Sequence, residues 1–409
     1  MALIVKKFGG SSVATPEKIF NIVNRVLRDK QLEDRIVVVV SAMGDTTDDL
    51  VNLAKEVTSM PYGREMDRLL STGEQVTIAL MALAFQAKGH AAVSMTGEQA
   101  GIATSDAFGK ARILEIEPKR VLEALEAGNI VVVAGFQGMT EAGDITTLGR
   151  GGSDTTAVAL AGAMQADVCE IFTDVDGVYS TDPRVAPGAV KLKEITYGEM
   201  LEMARLGAGV MQPRAVEMGH RYGVPIHVRS TFSDEEGTII REEYTMKANQ
   251  YAITGVADDT NVAKVSLVGV ENIPGVAHQV FQALANKSID VDMIVQSIRT
   301  TDDKRTDIVF TITRDDVNLA KQVLDELGQS MSIEECVINE NMAKVSIIGA
   351  GMLGQPGVAA KMFGILSDEG VNIEIISTSE ISISCLIGEE HIKTAVRAIH
   401  DKLVLDGRG

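Results

Sequence analysis

Three glycine- and hydroxyl-rich segments hold most of the residues that could do chemistry. The first run of β-branched residues leads into Lys7-Phe8-Gly9-Gly10-Ser11-Ser12-Val13. Adjacent glycines let backbone N–H groups approach an anion, the hydroxyls add donors and a helix start follows, which describes a phosphate cradle. A plain Gly-Gly turn after a strand has the same composition, so this segment alone does not decide. A second cluster, Thr147-Leu148-Gly149-Arg150-Gly151-Gly152-Ser153-Asp154-Thr155-Thr156, also opens a helix and gathers a guanidinium, hydroxyls and a carboxylate around flexible backbone. Two such helix starts on one sheet suit the meeting of two polyanionic groups. A third segment, from Phe172 to Arg184, follows a buried strand with acidic, aromatic and basic residues suited to a ribose and a base. Taken by itself it reads better as a solvated Asp-Gly loop.

Other chemistries lack their signatures. No Gly-x-x-x-x-Gly-Lys-Ser/Thr occurs, and neither His-Arg-Asp nor Asp-Phe-Gly is present, which argues against P-loop and protein-kinase readings. Gly349-Ala350-Gly351-Met352-Leu353-Gly354 fits a dinucleotide fingerprint. The equivalent stretch of an internal repeat, Gly269-Val270-Glu271-Asn272-Ile273, makes the same turn without that spacing, so the glycines read as a flexible loop. The formal net charge of -19 disfavours nucleic acid and anionic membrane surfaces as partners. The apolar stretch Ile36–Val40 is far too short to span a bilayer, and no targeting or anchoring segment is expected. Three cysteines in no close pair suit a reducing cytoplasm and no metal site.

The elements that must position these residues follow from periodicity. Ala2–Lys6, Arg35–Val40, Ala91–Met95, Ile130–Phe136, Cys169–Asp174 and Pro225–Arg229 read as strands, mostly apolar throughout. Strands apolar on both faces imply a sheet covered by helices on both sides. Pro16–Lys30, Glu65–Lys88, Pro118–Ala127 and Asp154–Gln165 carry helical periodicity, the first with Thr15 as N-cap and a proline at its first position. Near residue 245 the chain turns polar and charged, as a domain junction does. Beyond it, Ala263-Lys264-Val265-Ser266 returns as Ala343-Lys344-Val345-Ser346, and Pro274-Gly275-Val276-Ala277 as Pro356-Gly357-Val358-Ala359. Two α+β modules of the ferredoxin-like type follow from the order of elements in each copy.

Five ordered motifs resemble those of the aspartate kinases, in the amino acid kinase superfamily: Lys7–Val13, Val40-Ser41-Ala42-Met43-Gly44, Ser71-Thr72-Gly73-Glu74, Gly149–Thr155 and Thr173-Asp174-Val175-Asp176-Gly177. The C-terminal repeats are similar to tandem ACT domains. The resemblance implies an α/β chain: a three-layer αβα sandwich over residues 1–245, then ACT domains over 263–340 and 343–409. It implies transfer of phosphate from ATP, with Mg²⁺, to L-aspartate, the first step toward lysine, threonine and methionine. An aspartate carboxylate is ionised near pH 7, so such a reaction needs no catalytic base, and none stands out.

By match to the family motifs, Lys7 would neutralise the transferring phosphoryl group, Gly9 and Gly10 beside Phe8 would donate backbone N–H bonds, and Asp154 would orient Lys7. Arg150 would fork onto a substrate carboxylate and Glu74 would meet its ammonium. Ser41, Thr47, Gly151, Gly152 and Ser153 would complete that site. Thr173, Asp174, Tyr179, Ser180, Thr181, Asp182, Pro183 and Arg184 would hold ATP. No protein ligand for the metal is assigned. Lysine, threonine or both would inhibit through Asn272, Gly275, Asp290, Val291, Asp292 and Gln296 in one repeat and Val358, Ala359, Asn372, Ile373, Ser379 and Glu380 in the other. The resemblance further implies a homodimer or tetramer, with Met246 a conceivable start for a shorter regulatory subunit. The alternatives are a kinase of glutamate, acetylglutamate or a nucleoside monophosphate, or an amino-acid sensor with an inactive kinase fold.

Overall fold

The computed structural model describes residues 2–243, 252–297, 305–329, 331–352 and 355–405. Met246, Leu353 and Gly354 lie outside the described residues.

In chain order the first part comprises β1 (Leu3–Phe8), α1 (Pro16–Asp29), β2 (Arg35–Val40), α2 (Thr46–Val57), α3 (Arg64–Ala87), β3 (Ala92–Met95), β4 (Ile102–Thr104), β5 (Ile113–Ile116), α4 (Lys119–Glu126), β6 (Ile130–Ala134), β7 (Gln137–Met139), β8 (Ile145–Thr147), α5 (Gly152–Ala163), β9 (Val168–Thr173), β10 (Glu194–Thr196), α6 (Tyr197–Arg205), α7 (Pro213–Tyr222), β11 (Ile226–Ser230) and β12 (Thr238–Arg241). The main sheet has the order β10-β12-β11-β9-β1-β2-β6-β3. From β11 to β3 every pairing is parallel. Apolar side chains cover both faces of the central strands, which is why the valine-rich runs lack alternation. Helices α1 and α3 pack on one face in a core with Phe8, Phe85 and Phe172. Helix α5, buried almost all round, lies over β1 and β9 on the other, backed by α7. Thr15 caps α1 as its sequence predicts, its hydroxyl accepting from Lys18 N.

Two element ends differ from expectation in ways that matter. β1 runs on to Phe8, since Lys7 and Phe8 remain in register with Val39 and Val40 on one side and Ile171 and Phe172 on the other. β6 stops at Ala134, because Phe136 takes a left-handed backbone with φ of 69°. A small second sheet, β5-β4-β7-β8, was not legible in its short strands.

The second part continues with β13 (Gly255–Glu271), α8 (Val276–Ala285), β14 (Ile294–Gln296), β15 (Arg305–Thr313), α9 (Val317–Gly328), β16 (Glu335–Ile348), α10 (Val358–Asp368), β17 (Ile375–Thr378), β18 (Ser382–Gly388) and α11 (Ile392–Ile399), which ends in a π-helical turn over His400–Leu405. The two repeats share one antiparallel sheet, β14-β15-β13-β16-β18-β17. Gly255–Asp259 of β13 pairs with the C-terminal half of β16, and Lys264–Val268 with its N-terminal half, so each repeat completes its sheet with a segment belonging to the other's strand. The exchange is mirrored by two ion pairs: Lys264 Nζ reaches Glu374 Oε2 at 2.7 Å, and its repeat equivalent Lys344 reaches Asp292 Oδ2 at 2.5 Å. Separate cores lie under α8 and α9 and under α10 and α11.

Contacts divide the chain into two units. Tyr179–Val190 and Leu206–Ala208 pack with the second unit, although they precede the junction read from the sequence. Ser180 is held there on all sides. Its carbonyl accepts from Val256 N, its amide donates to Val190 O, and its hydroxyl meets His400 Nε2 at 2.8 Å. The glycine fingerprint has a structural cause, since a side chain at Gly349 would fall 2.3 Å from Ala252 O.

Candidate active site

In an open α/β sheet the groove outside the carboxyl ends of the strands, where the chain reverses direction across the sheet, is the natural ligand site. Here β1 is flanked by β2 and β9, which the chain visits on opposite sides, so Lys7 and Phe8 stand at that point. Phe8 turns into the core and stacks on Phe172 at 4.6 Å. Lys7 faces the other side, where α5 begins, and its Nζ lies 2.5 Å from Asp154 Oδ1. The contact is one of charge rather than an aligned hydrogen bond, and Oδ1 is left without a matched donor.

The chain after β1 is locked to the chain after β2. Gly44 N donates to Gly10 O at 3.0 Å and Ser41 N to Phe8 O at 3.2 Å. Ser41 Oγ donates to Ser153 Oγ at 3.0 Å, joining the end of β2 to the first turn of α5. Gly151 enters that helix with φ of 66°, and a side chain there would fall 1.8 Å from Gln212 Cγ, so only glycine fits. Phe136 packs against Gly152, and its strained amide donates to Thr156 Oγ1 at 3.1 Å. Arg150 is exposed and has no carboxylate within ion-pair distance among the described residues. Thr47 lies in the first turn of α2.

Glu74 is the most perturbed acid of this region. Only 2% exposed, it accepts from Ala42 N at 3.0 Å through Oε1, while buried Oε2 has no partner among the described residues. Burial pushes its carboxyl up to about 7, against the weaker downward pull of backbone hydrogen bonds. A buried oxygen without a donor suits a cationic ligand.

The structure therefore brings together Lys7, Gly9, Gly10, Ser41, Glu74, Gly152, Ser153 and Asp154. Thr173 and Asp174 stand at the end of the adjoining β9. Tyr179, Ser180, Thr181, Asp182, Pro183 and Arg184 belong to the second unit. There the Ser180 hydroxyl is enclosed rather than presented to a ligand, and Arg184 forks onto Asp182 at 2.8 Å.

Sequence reasoning missed Asp67. It is 1% exposed, on the same face of α3 as Ser71 and Glu74, and accepts from three donors. An acid in the first turn of a helix ordinarily reads as a surface residue favoured by the helix dipole. The i, i+4, i+7 spacing of Asp67, Ser71 and Glu74 was the available signal.

The amino acid kinase family model matches residues 2–230, and an ACT domain model matches residues 265–327 and 345–403. The chain is 50% identical over 407 residues to the aspartokinase of Bacillus sp. (strain MGA3), covering 100% of this chain and 98% of that protein. The chain belongs to the aspartokinases. Among solved aspartokinase structures, E. coli aspartokinase III in complex with aspartate and ADP, in its R-state, matches with a TM-score of 0.83 at 28% identity, over 98% of this chain and 100% of that one. The same E. coli aspartokinase in complex with lysine and aspartate, in its T-state, matches with a TM-score of 0.76 at 27% identity, over 98% and 99%.

Proposed function

We propose that this aspartokinase transfers the γ-phosphoryl group of ATP to the side-chain carboxylate of L-aspartate, giving 4-phospho-L-aspartate and ADP. The observation that carries the reading is the Lys7–Asp154 pair at the switch point of the sheet, with the buried Glu74 carboxyl, one of its oxygens without a donor, held against the chain after β2. The acceptor carboxylate is already ionised, so the protein's work is positioning and charge stabilisation. Glu74 takes the substrate ammonium, Arg150 forks onto its α-carboxylate, and Ser41, Thr47 and Ser153 contact it through hydroxyls. Gly151 and Gly152 carry the backbone of that pocket.

Lys7 neutralises charge on the transferring group, steadied by Asp154, while the N–H groups of Gly9 and Gly10 donate to its oxygens. Thr173 and Asp174 hold the nucleotide. Mg²⁺ would be carried on the nucleotide, liganded mostly by its phosphates and water, with no protein ligand assigned. The metal would supply charge neutralisation. In the second unit the loops opening α8 and α10, with Asp290, Gln296, Asn372 and Glu380 exposed nearby, are proposed to take lysine, threonine or both as inhibitors. Assembly into a dimer or tetramer is proposed on the same footing.

The test is ADP release from purified protein with ATP, Mg²⁺ and either L-aspartate or L-glutamate. Turnover that depends on aspartate supports the reading. Turnover with glutamate alone would replace it by another amino acid kinase, and binding of lysine with no turnover at all by a sensor.

A further inference from the structure

Helix α3 carries a buried polar stripe. Asp67, Ser71 and Glu74 follow at i, i+4 and i+7 on one face, in a helix whose buried face is otherwise mostly apolar. Each member ties the helix to a different segment of the chain. Glu74 accepts from Ala42 N after β2. Ser71 O accepts from buried Gln137 Nε2 of β7 at 3.0 Å. Asp67 accepts three hydrogen bonds: Thr147 N donates to Oδ2 at 2.7 Å, the Thr147 hydroxyl to Oδ1 at 2.9 Å, and Gly109 N to Oδ2 at 2.9 Å.

Burying a carboxylate this deeply is costly unless donors replace its water, and two backbone amides and a hydroxyl do so. A neutral side chain or a shorter contact would cover the same apolar ground at less cost. What the carboxylate adds is a fixed point. Thr147 is the last residue of β8, three residues before Arg150, and the intervening Leu148 and Gly149 leave little freedom: Leu148 N donates to Phe136 O and Leu148 O accepts from Arg214. Asp67 stands two helical turns, about 10 Å along the axis, from Glu74.

We propose that Asp67 is a positioning residue for amino-acid recognition. By pinning Thr147 to the helix that bears Glu74, it sets the spacing between the group that meets the substrate ammonium and the guanidinium that meets its α-carboxylate. The inference rests on the proposed roles of Glu74 and Arg150. Asp67 touches no substrate. It acts through the strand end that Arg150 extends.

The experiment compares L-aspartate with β-alanine, which keeps the ammonium and the acceptor carboxylate but lacks the α-carboxylate. In the wild type the ratio of kcat/KM for the two reports the Arg150 contact. Asp67→Ala withdraws the acceptors of all three bonds, whereas Asp67→Asn could keep them by accepting both amides through its oxygen and donating its N–H₂ to the Thr147 hydroxyl. The alanine variant should raise KM for aspartate at least about tenfold and shrink the aspartate/β-alanine ratio by a similar factor. KM for ATP should stay within about twofold. Thr147→Val, which loses only the hydroxyl arm, should move the ratio in the same direction by about threefold, and Thr147→Ser should restore it. If Asp67→Ala does not fold, the Thr147 pair decides.

A drop in kcat with the ratio unchanged, or equal rises in both KM values, would reduce Asp67 to a structural residue and overturn the inference. Arg150→Ala separates this from failure of the underlying site. If that variant leaves the ratio unchanged, the assignment of Arg150 is wrong. If it collapses the ratio while Asp67→Ala and Thr147→Val do not, only the role of Asp67 is wrong.

Discussion

Lys7 Nζ lies 2.5 Å from Asp154 Oδ1, one residue at the end of a central strand and the other in the first turn of the helix that covers it. A single carboxylate there fixes the direction of the Lys7 side chain. Lys7→Met should therefore lower kcat by about 10²–10³ with a smaller change in KM for aspartate. Steady-state kinetics on a variant of unchanged circular dichroism checks this. Asp154→Asn should lower kcat by a smaller factor, since it leaves the charge of Lys7 and loosens its direction.

Glu74 makes aspartate recognition depend on pH. Its carboxyl is pushed by burial to about 7, and only the ionised form attracts an ammonium. KM for aspartate should fall as pH rises through that value, and Glu74→Gln should weaken binding and flatten the profile. Stability without ligand should move the opposite way. A carboxyl whose folded value is raised above the unfolded one contributes stability fully present below the unfolded value and lost as pH rises through the folded value. Glu74→Gln should then melt higher than wild type at pH 8, with the difference vanishing toward pH 5. Thermal melts at the two pH values decide.

The mirrored ion pairs of the second unit should respond unequally to losing either partner. Lys344 is almost buried, with 5% of its side chain exposed, whereas 60% of the Asp292 side chain is exposed. Asp292→Asn strands a buried ammonium and should cost about 1–2 kcal/mol, discounted for the solvent that reaches the pair. Lys344→Met leaves a carboxylate that water can reach and should cost less. Denaturant midpoints of the two variants measure the asymmetry.

Ser180 anchors the loop of residues 179–190 within the second unit. Its hydroxyl accepts from Val190 N at 2.9 Å and meets His400 Nε2 in a fully buried contact. Ser180→Ala leaves both groups without that partner and should destabilise by about 1–3 kcal/mol. A lowered melting temperature is the expected readout.

Much of the architecture was legible because hydrophobic period and glycine-rich turns carry it directly. The valine runs of β2 and β6, the capped start of α1 and the repeat of Ala-Lys-Val-Ser all have local causes. The exchange of strand halves between β13 and β16 did not, since nothing in Gly255–Asp259 says which repeat it will pair with. At the site, Lys7, Asp154 and Ser153 belong to glycine-rich segments that stand out by composition. Asp67 and Phe136 do not, because one acts through bonds to chain 42 and 80 residues away and the other through a backbone angle. Ser180 sits in a segment whose composition suits a nucleotide, yet its hydroxyl is taken by a histidine 220 residues further on.

Phosphoryl transfer to the aspartate side chain is tested most directly by trapping the product. With ATP, Mg²⁺, L-aspartate and hydroxylamine, an acyl phosphate at the side-chain carboxylate is captured as a hydroxamate. One aspartyl hydroxamate should form for each ADP released, with both lost in Lys7→Met. ADP released without hydroxamate, or equal yields from wild type and Lys7→Met, would contradict it.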